Sequence, residues 1–315
     1  MRISRRRFIG ITAVCMLGAH HVLASENPGA RWQGIALGAH ADLRLVGLPA
    51  REAERLLLAA RAEIERLEQQ FSLYRADSAL VRLNATGSLD APGPDMLELC
   101  SLVSTIHQAS AGRFDPSVQP LWTAYARAGG APDMKTLANA RAATGWSKVE
   151  ISADRIRLQR GAALTFNGIA QGFITDRVVD LLTTQGLEAG LVSVGEIAAV
   201  GASPAGSDWA IGLADHEDDP ADATIHLRDR AVATSSPHGT LFGPAPAGHI
   251  LDPETGMAAP PDWRRVSVIH RSAAIADGLS TAGVLQGATD LRAMITRFPG
   301  AHVRAIDRDG HMMVV

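Results

Sequence analysis

The sequence predicts an α+β protein: a single compact mixed α/β unit in which antiparallel and mixed short strands are packed by helices. Three observations predict it. Apolar residues recur at helical spacing in two long segments, many short apolar runs of strand length follow, and no repeat, low-complexity tract or linker divides the chain. With 315 residues, 46% of them hydrophobic, it can bury one large core or two moderate ones and is not a disordered chain.

The elements read in order. Alternation within Gly34–Gly47 places a strand at about Ala39–Val46. Between Pro49 and Ser72, Leu57, Ala60, Ile64, Leu67 and Phe71 form one helix face, and Arg and Glu solvate the other. Phe71–Asn84 leaves that helix through a turn, Gly87–Pro94 is a loop, and a second helix spans Asp95–Ala109, ended by Gly112. Two prolines in Gly112–Trp122 argue against a long regular element there, the stretch on to Pro132 reads as loop-rich, and Asp133 caps a short third helix. Strands at Val149–Leu158 and Leu191–Val194 flank a helix Ala170–Gln185 that stops at Gly186, a local β-α-β unit. Short strands follow at Trp209–Leu213, Thr224–Leu227, Ala231–Thr234 and Val266–His270. The pair Val303–Ile306 and Met312–Val315 closes as a hairpin over the turn at 307–310, and the acidic stretch His216–Asp222 is a surface loop.

The N-terminus carries an export pattern: basic Met1–Arg7, the apolar run Phe8–Leu17, and a small-residue exit at Val22-Leu23-Ala24. Ser4-Arg5-Arg6-Arg7-Phe8-Ile9 resembles a twin-arginine motif, so residues 1–24 are read as a signal peptide, residues 25–315 as the mature domain, and the product as periplasmic. The rival reading is an uncleaved anchor. The whole chain carries a net charge of −3; residues 25–315 hold 26 basic and 33 acidic residues, a net −7, which does nothing to recommend nucleic acid as a partner. Cys100 is the one cysteine of that mature part, which excludes an intrachain disulfide; it falls on the stripe Met96, Leu99, Cys100, Val103, Ile106, the pattern of a buried helix face.

Three separated segments carry the chemistry. In TFNGIAQGFITDR (Thr165–Arg177), Gly168 and Gly172 bracket a helix start, where free backbone N–H groups and the helix dipole favour an anion. In SAAIADGLSTAG (Ser272–Gly283), Asp277 and Thr281 stand four apart on a helix Ala273–Leu285, which brings their Cβ atoms to roughly 5–6 Å on one face. One carboxylate and one hydroxyl suit Mg²⁺, which takes few protein ligands and keeps water or phosphate oxygens in its shell. In GHILDPETG (Gly248–Gly256), His249 precedes a rigid Asp-Pro turn and can accept a proton near neutral pH. Each segment alone also fits a bland reading, as a solvated face, a packed helix start or a structural histidine. No G-x-S-x-G, C-x-x-C, H-E-x-x-H, Walker A or G-x-G-x-x-G pattern occurs.

Taken together and in order, FSLYR (71–75), GRFDPSVQPLW, TFNGIAQGFITDR, VSVGEIAAVG (192–201), AVATSS (231–236), HILDPETG (249–256) and ADGLSTAG (276–283) resemble the blocks of the ApbE family, the FAD:protein FMN transferases. The resemblance implies an ApbE-like fold, FAD as substrate, Mg²⁺ as cofactor, and attack of a Thr or Ser hydroxyl of an acceptor protein on the FMN phosphate with release of AMP. It also implies that Asp277, Thr281 and the backbone at Gly168 hold the metal, and that Tyr74, Arg113, Phe114, Asp115, Thr165, Gln171 and His249 contact the flavin nucleotide, with His249 the catalytic base. The acceptor it implies is a protein of a membrane or periplasmic redox complex, and the form NGIAQG with VGE looks closest to members linked to nitrous-oxide respiration. The chain departs from the common pattern at Leu37-Gly38-Ala39 for Met-Gly-Thr, Thr165 for Asp, and Gly195-Glu196 for Gly-Gly-Asp. FAD hydrolysis by water and non-catalytic flavin carriage are the competing functions.

Overall fold

A computed structural model describes residues 29–215, 219–243, 247–260 and 262–315, so the leader at 1–24 and part of the acidic stretch His216–Asp222 lie outside the described residues. The chain begins with a hairpin of β1 (Ala30–Ala36) and β2 (Ala39–Val46). Its turn holds Leu37 at φ 48° and Gly38 at φ 83°, and the Leu37 N–H donates to Glu68 Oε1 at 2.8 Å. Helix α1 (Ala50–Phe71) buries Ala53, Leu56, Leu57, Ala60, Ile64, Leu67 and Phe71, the face its periodicity predicts. The segment expected to be only a turn contains a further helix, α2 (Ala79–Thr86), capped by the Ser78 hydroxyl on the Val81 N–H at 3.0 Å and ended by Gly87 at φ 75°.

After β3 (Ser88–Asp90), helix α3 (Pro94–Ala109) buries the stripe that includes Cys100, whose thiol is pushed up to about 12 by burial. The two prolines of Gly112–Trp122 do not prevent a helix: Pro116 starts one 3-10 turn and Pro120 sits in the first turn of α4 (Gln119–Arg127), where a missing N–H costs no intrahelical bond. Asp133 caps α5 (Met134–Ala143) through the Thr136 N–H at 2.9 Å.

The Val149–Leu158 run divides into β4 (Glu150–Ile151) and β5 (Arg155–Arg157), which join β3 in a small sheet of their own. The following helix α6 (Ala170–Thr184) leads to β6 (Ala189–Val194) in a different, eight-stranded sheet. The expected β-α-β unit therefore does not form, because β4 and β5 satisfy each other and β3 rather than β6.

A tight turn joins β6 to β7 (Ile197–Val200); β8 (Trp209–Leu213) and β9 (Ala223–Leu227) pair as a separate ribbon. The rest is β10 (Arg230–Ser235), β11 (Trp263–His270), α7 (Ala273–Val284), α8 (Ala288–Ile295), β12 (His302–Asp307) and β13 (Met312–Val314). The large sheet runs β1-β2-β6-β7-β10-β11-β12-β13, and every strand pairing among the described residues is antiparallel. No helix among the described residues is long and apolar enough to cross a membrane.

Helices α1, α6 and α7 cover one face of the large sheet, and the β8–β9 ribbon covers the middle of the other. Alternate residues of β6 show this division: Leu191 packs under the ribbon, Val192 and Val194 under the helices. The main core joins Phe71 edge-on to Phe166 and Phe173, with centroids 6.1 and 5.6 Å apart. A separate cluster of Leu121, Ala124, Tyr125, Ala140, Phe242 and Leu251 ties the 240–259 segment to α4 and α5.

The closest approach of α6 and α7 requires Gly172. A Cβ there would lie 2.3 Å from the Ala273 carbonyl oxygen, a backbone atom that no rotamer change can move. Gly172→Ala is expected to cost about 1–3 kcal/mol, read as a lower urea midpoint with an unchanged m-value. An unchanged midpoint would show that this crossing is loose.

Candidate functional site

The first turn of α6, the inner face of α7 and the segment around His249 meet at a cavity of about 700 Å³, a size ordinary for a nucleotide-sized ligand. Its wall contains all ten sequence-predicted residues: Tyr74, Arg113, Phe114, Asp115, Thr165, Gly168, Gln171, His249, Asp277 and Thr281. They come from five separate stretches of chain, so the fold alone brings them together.

The two helices hold each other by exchanging carboxylates. Asp176 of α6 reaches the start of α7, where it accepts from the N–H groups of Ala273 (2.6 Å) and Ala274 (3.0 Å) and from the Ser272 hydroxyl (2.6 Å). Asp277 of α7 reaches back to the start of α6 and accepts the Gly172 N–H at 3.1 Å. Both acids thereby satisfy first-turn donors that have no intrahelical partner and sit at the positive end of a dipole.

Asp277 is buried, and its desolvation pushes its pKa well above the usual carboxylate range; the Gly172 N–H opposes that rise and the charge of Asp176 adds to it. Glu196, in the β6–β7 turn, is pushed the same way by burial and then by Asp277, against the Thr234 N–H that it accepts. Among the described residues no Lys, Arg or His lies within ion-pair distance of either carboxylate. Beside Asp277, a Cβ built on Gly168 would stand 3.1 Å from Thr281 Oγ1, so the bare backbone of Gly168 faces that hydroxyl. Ser235 Oγ lies 3.4 Å from Thr281 Oγ1 and 2.8 Å from Ser280 Oγ. A buried acid short of positive charge, next to a hydroxyl and an open backbone, is an oxygen donor set that fits Mg²⁺.

His249 is half-buried, and desolvation pulls its pKa down to about 4, so the ring is neutral at pH 7 and a weaker base than the ordinary value of the sequence reading implies. Its Nδ1 lies 3.2 Å from the Thr240 carbonyl oxygen, an acceptor only. Nδ1 therefore carries the proton and Nε2 is left as the acceptor nitrogen.

The other predicted residues have definite local roles. The carboxylate of Asp115 already accepts from Ser117 N–H (2.8 Å), Ser117 O–H (2.6 Å) and Trp146 N–H (2.9 Å), which fixes the loop that bears Phe114. Arg113 pairs with Asp252 at 2.7 Å and Glu254 at 3.0 Å. Tyr74, its phenol raised by burial and opposed by Asn167, packs on Gly38, where an added Cβ would be 3.1 Å from the ring. Thr165 Oγ1 accepts the Asn167 N–H at 3.3 Å. Gln171 packs so closely on Gly195 (φ 93°) that a Cβ there would meet it at 2.5 Å.

Sequence reasoning did not single out Glu68, Trp122, Ser235, Ser236 or Glu196 as wall residues. Glu196 left one signal, the shortened Gly195-Glu196, which in the structure is the turn that delivers its side chain to the cavity.

Known proteins resemble this chain along most of its length. The profile of the ApbE family matches residues 37–305. The FAD:protein FMN transferase of Treponema pallidum is 29% identical over 280 residues, 80% of this chain and 77% of that protein. The FAD:protein FMN transferase of Klebsiella pneumoniae is 24% identical over 295 residues, 88% and 84% of the two chains. The apo crystal structure of the Pseudomonas stutzeri flavinyl transferase ApbE superposes with a TM-score of 0.78 at 29% identity, covering 93% of this chain and 97% of that one. The Thermotoga maritima ApbE protein shares the fold, with a TM-score of 0.81 at 24% identity over 91% and 96% of the two chains. A family profile spanning nearly all of the described chain, together with relatives matched along most of their length, establishes that this chain belongs to the ApbE family.

Proposed function

We propose that this chain is an FAD:protein FMN transferase that uses Mg²⁺. The observation that carries the proposal is the placement of Asp277, Thr281, Gly168 and His249 on the wall of one cavity large enough for a nucleotide. Asp277, Thr281 and the Gly168 backbone would hold the cation, which when bound offsets the charge that builds on a pyrophosphate. The apolar and aromatic wall of Leu73, Tyr74, Phe114 and Trp122 suits a flavin ring, and Thr165, Asn167 and Gln171 offer hydrogen bonds.

In the proposed reaction an acceptor Thr or Ser oxygen attacks the phosphorus on the FMN side of FAD. The bond from that phosphorus to the bridging oxygen breaks, and AMP leaves with the oxygen. His249 Nε2 takes the hydroxyl proton, and the new phosphoester links FMN to the acceptor. The Nδ1–H bond to Thr240 fixes the tautomer this requires. Its low pKa means that the base is unprotonated throughout the neutral range.

We further read the leader as an export signal that delivers the enzyme to the periplasm, with an electron-transfer protein of a membrane or periplasmic redox complex as acceptor. Nitrous-oxide reductase maturation is the setting suggested by the NGIAQG and VGE blocks.

Incubation of the mature chain with FAD, Mg²⁺ and a candidate acceptor domain is expected to give a flavin-fluorescent band that survives denaturing electrophoresis. Asp277→Asn should abolish it, and His249→Ala should slow its appearance by about 10²–10⁴-fold. AMP and free FMN with no labelled acceptor would instead identify an FAD hydrolase. Independently, Mg²⁺ should raise the thermal midpoint of the FAD-loaded wild type and leave that of Asp277→Asn unmoved; an equal rise in both would exclude Asp277 as a ligand.

The histidine also makes a signed pH prediction. Because its folded pKa is depressed from 6.5 to about 4, its contribution is present above pH 6.5 and is lost as the pH falls toward 4. The difference in thermal midpoint between wild type and His249→Gln should therefore shift against the wild type between pH 7 and pH 4.5, and a constant difference would contradict a desolvated ring.

A further inference from the structure

Arg113 stands on the cavity wall, yet its guanidinium is turned onto the segment that carries His249. Nη1 donates to Asp252 Oδ2 at 2.7 Å and Nη2 lies 3.0 Å from Glu254 Oε2. The two carboxylates differ in kind: the Asp252 side chain is 13% exposed and that of Glu254 is 74% exposed. The first is a partly desolvated, charge-assisted bond, and the second is a surface pair worth little.

Asp252 is itself a structural hub. Its Oδ1 accepts the Glu254 N–H at 2.8 Å, while its backbone donates to Met257 at 2.8 Å and accepts from Gly256 at 2.8 Å. His249 is three residues upstream, held at its own end by its backbone N–H on Thr240 at 3.0 Å, with Ile250 bonded to Ala259 at 2.8 Å between them. The segment 249–252 is thus pinned at one end by Thr240 and at the other by Arg113. Arg113 in turn precedes Phe114, whose N–H is held by Ser110 Oγ at 3.0 Å and whose carbonyl meets His107 Nδ1 at 2.8 Å.

We propose that Arg113 is a positioning residue for His249: through Asp252 it locks the histidine-bearing segment to the Phe114–Asp115 wall, setting where the base stands relative to the nucleotide. The ion pair joins chain segments 139 residues apart and is the side-chain tie from the 249–252 segment to the Phe114–Asp115 wall; the segment's other ties are the Thr240 and Ala259 backbone bonds, Ile250 in the main core and Leu251 in the satellite cluster. Loss of the pair should free the base while leaving the nucleotide wall in place. Only the kinetic arm of the test rests on the transferase reading.

Hydrogen exchange on the ligand-free full chain tests the lock itself. Arg113→Ala is expected to speed exchange of amides in 249–257 about tenfold or more, with those in 170–184 and 273–284 unchanged. Arg113→Lys should restore most of the protection, and Glu254→Ala should match the wild type. Unchanged exchange in 249–257, or an equal rise in α6 and α7, overturns the proposal.

In the kinetic arm, FAD affinity in the presence of Mg²⁺ is read by flavin fluorescence, and AMP release is followed at saturating FAD with the candidate acceptor domain present. Arg113→Ala should hold FAD affinity within about threefold and slow AMP release at least tenfold, partly rescued by Arg113→Lys. Weakened FAD affinity with release at saturation retained would make Arg113 a direct nucleotide contact and overturn the assignment. Absence of AMP release from the wild type would sink the transferase reading alone, with the exchange result still deciding the lock.

Discussion

Two helices that cap each other are the constraint on which the rest of this protein depends. Asp176 closes the start of α7 and Asp277 closes the start of α6, across a crossing that only Gly172 allows. Neither helix start can move without stranding the other's carboxylate in a buried place. The arrangement fixes Gly168, Gln171, Asp277 and Thr281 relative to one another with helix-grade precision, which a loop-built site would lack. It also leaves Asp277 and Glu196 buried with too little positive charge. That imbalance opposes folding in the absence of a cation, and on the proposed reading of the site the same feature would be what attracts one.

The second half of the site belongs to a different cluster. His249 comes with a segment whose Leu251 packs in the satellite core of Phe242 and α4 and whose Ile250 reaches the main core, while the metal-type donors come with the main core. The cavity is the seam between them. Its two sides are tied by the Arg113–Asp252 pair and by the loop that Asp115 organises. A transfer reaction needs both sides in register, because a base misplaced by an ångström loses much of its effect.

Much of this was legible in the chain. The stripes of α1 and α3, the helix starts at Ala170 and Ala273, the Asp133 cap and the terminal hairpin follow from periodicity and cap chemistry, and the structure contains them. What was not legible depended on long-range pairing. Strand β7 is four small or aliphatic residues buried on both faces, with no alternation to mark it. The β-α-β expectation failed because the apolar run before α6 finds its partner in β3, 65 to 69 residues earlier. Helices α2 and α8 are only eight residues each, too short for a periodic signal to stand out. Pro120 looked like a helix breaker, but position within a helix decides what proline does. At the site, residue type and spacing pointed to Gly168, His249, Asp277 and Thr281, and the resemblance to the ApbE family supplied Tyr74, Arg113, Phe114, Asp115, Thr165 and Gln171, whereas the capping exchange, the low pKa of His249 and the facing Glu196 are products of burial and appear only in three dimensions.

The most direct test is a crystal structure of the chain with FAD and Mg²⁺. The account predicts a cation with oxygen ligands at about 2.0–2.1 Å from Asp277, Thr281 and the Gly168 carbonyl, in contact with the diphosphate, and His249 Nε2 facing the FMN phosphorus. A cation held instead at the exposed Asp307–Asp309–His311 cluster, with Asp277 still bonded only to the Gly172 N–H, would contradict it.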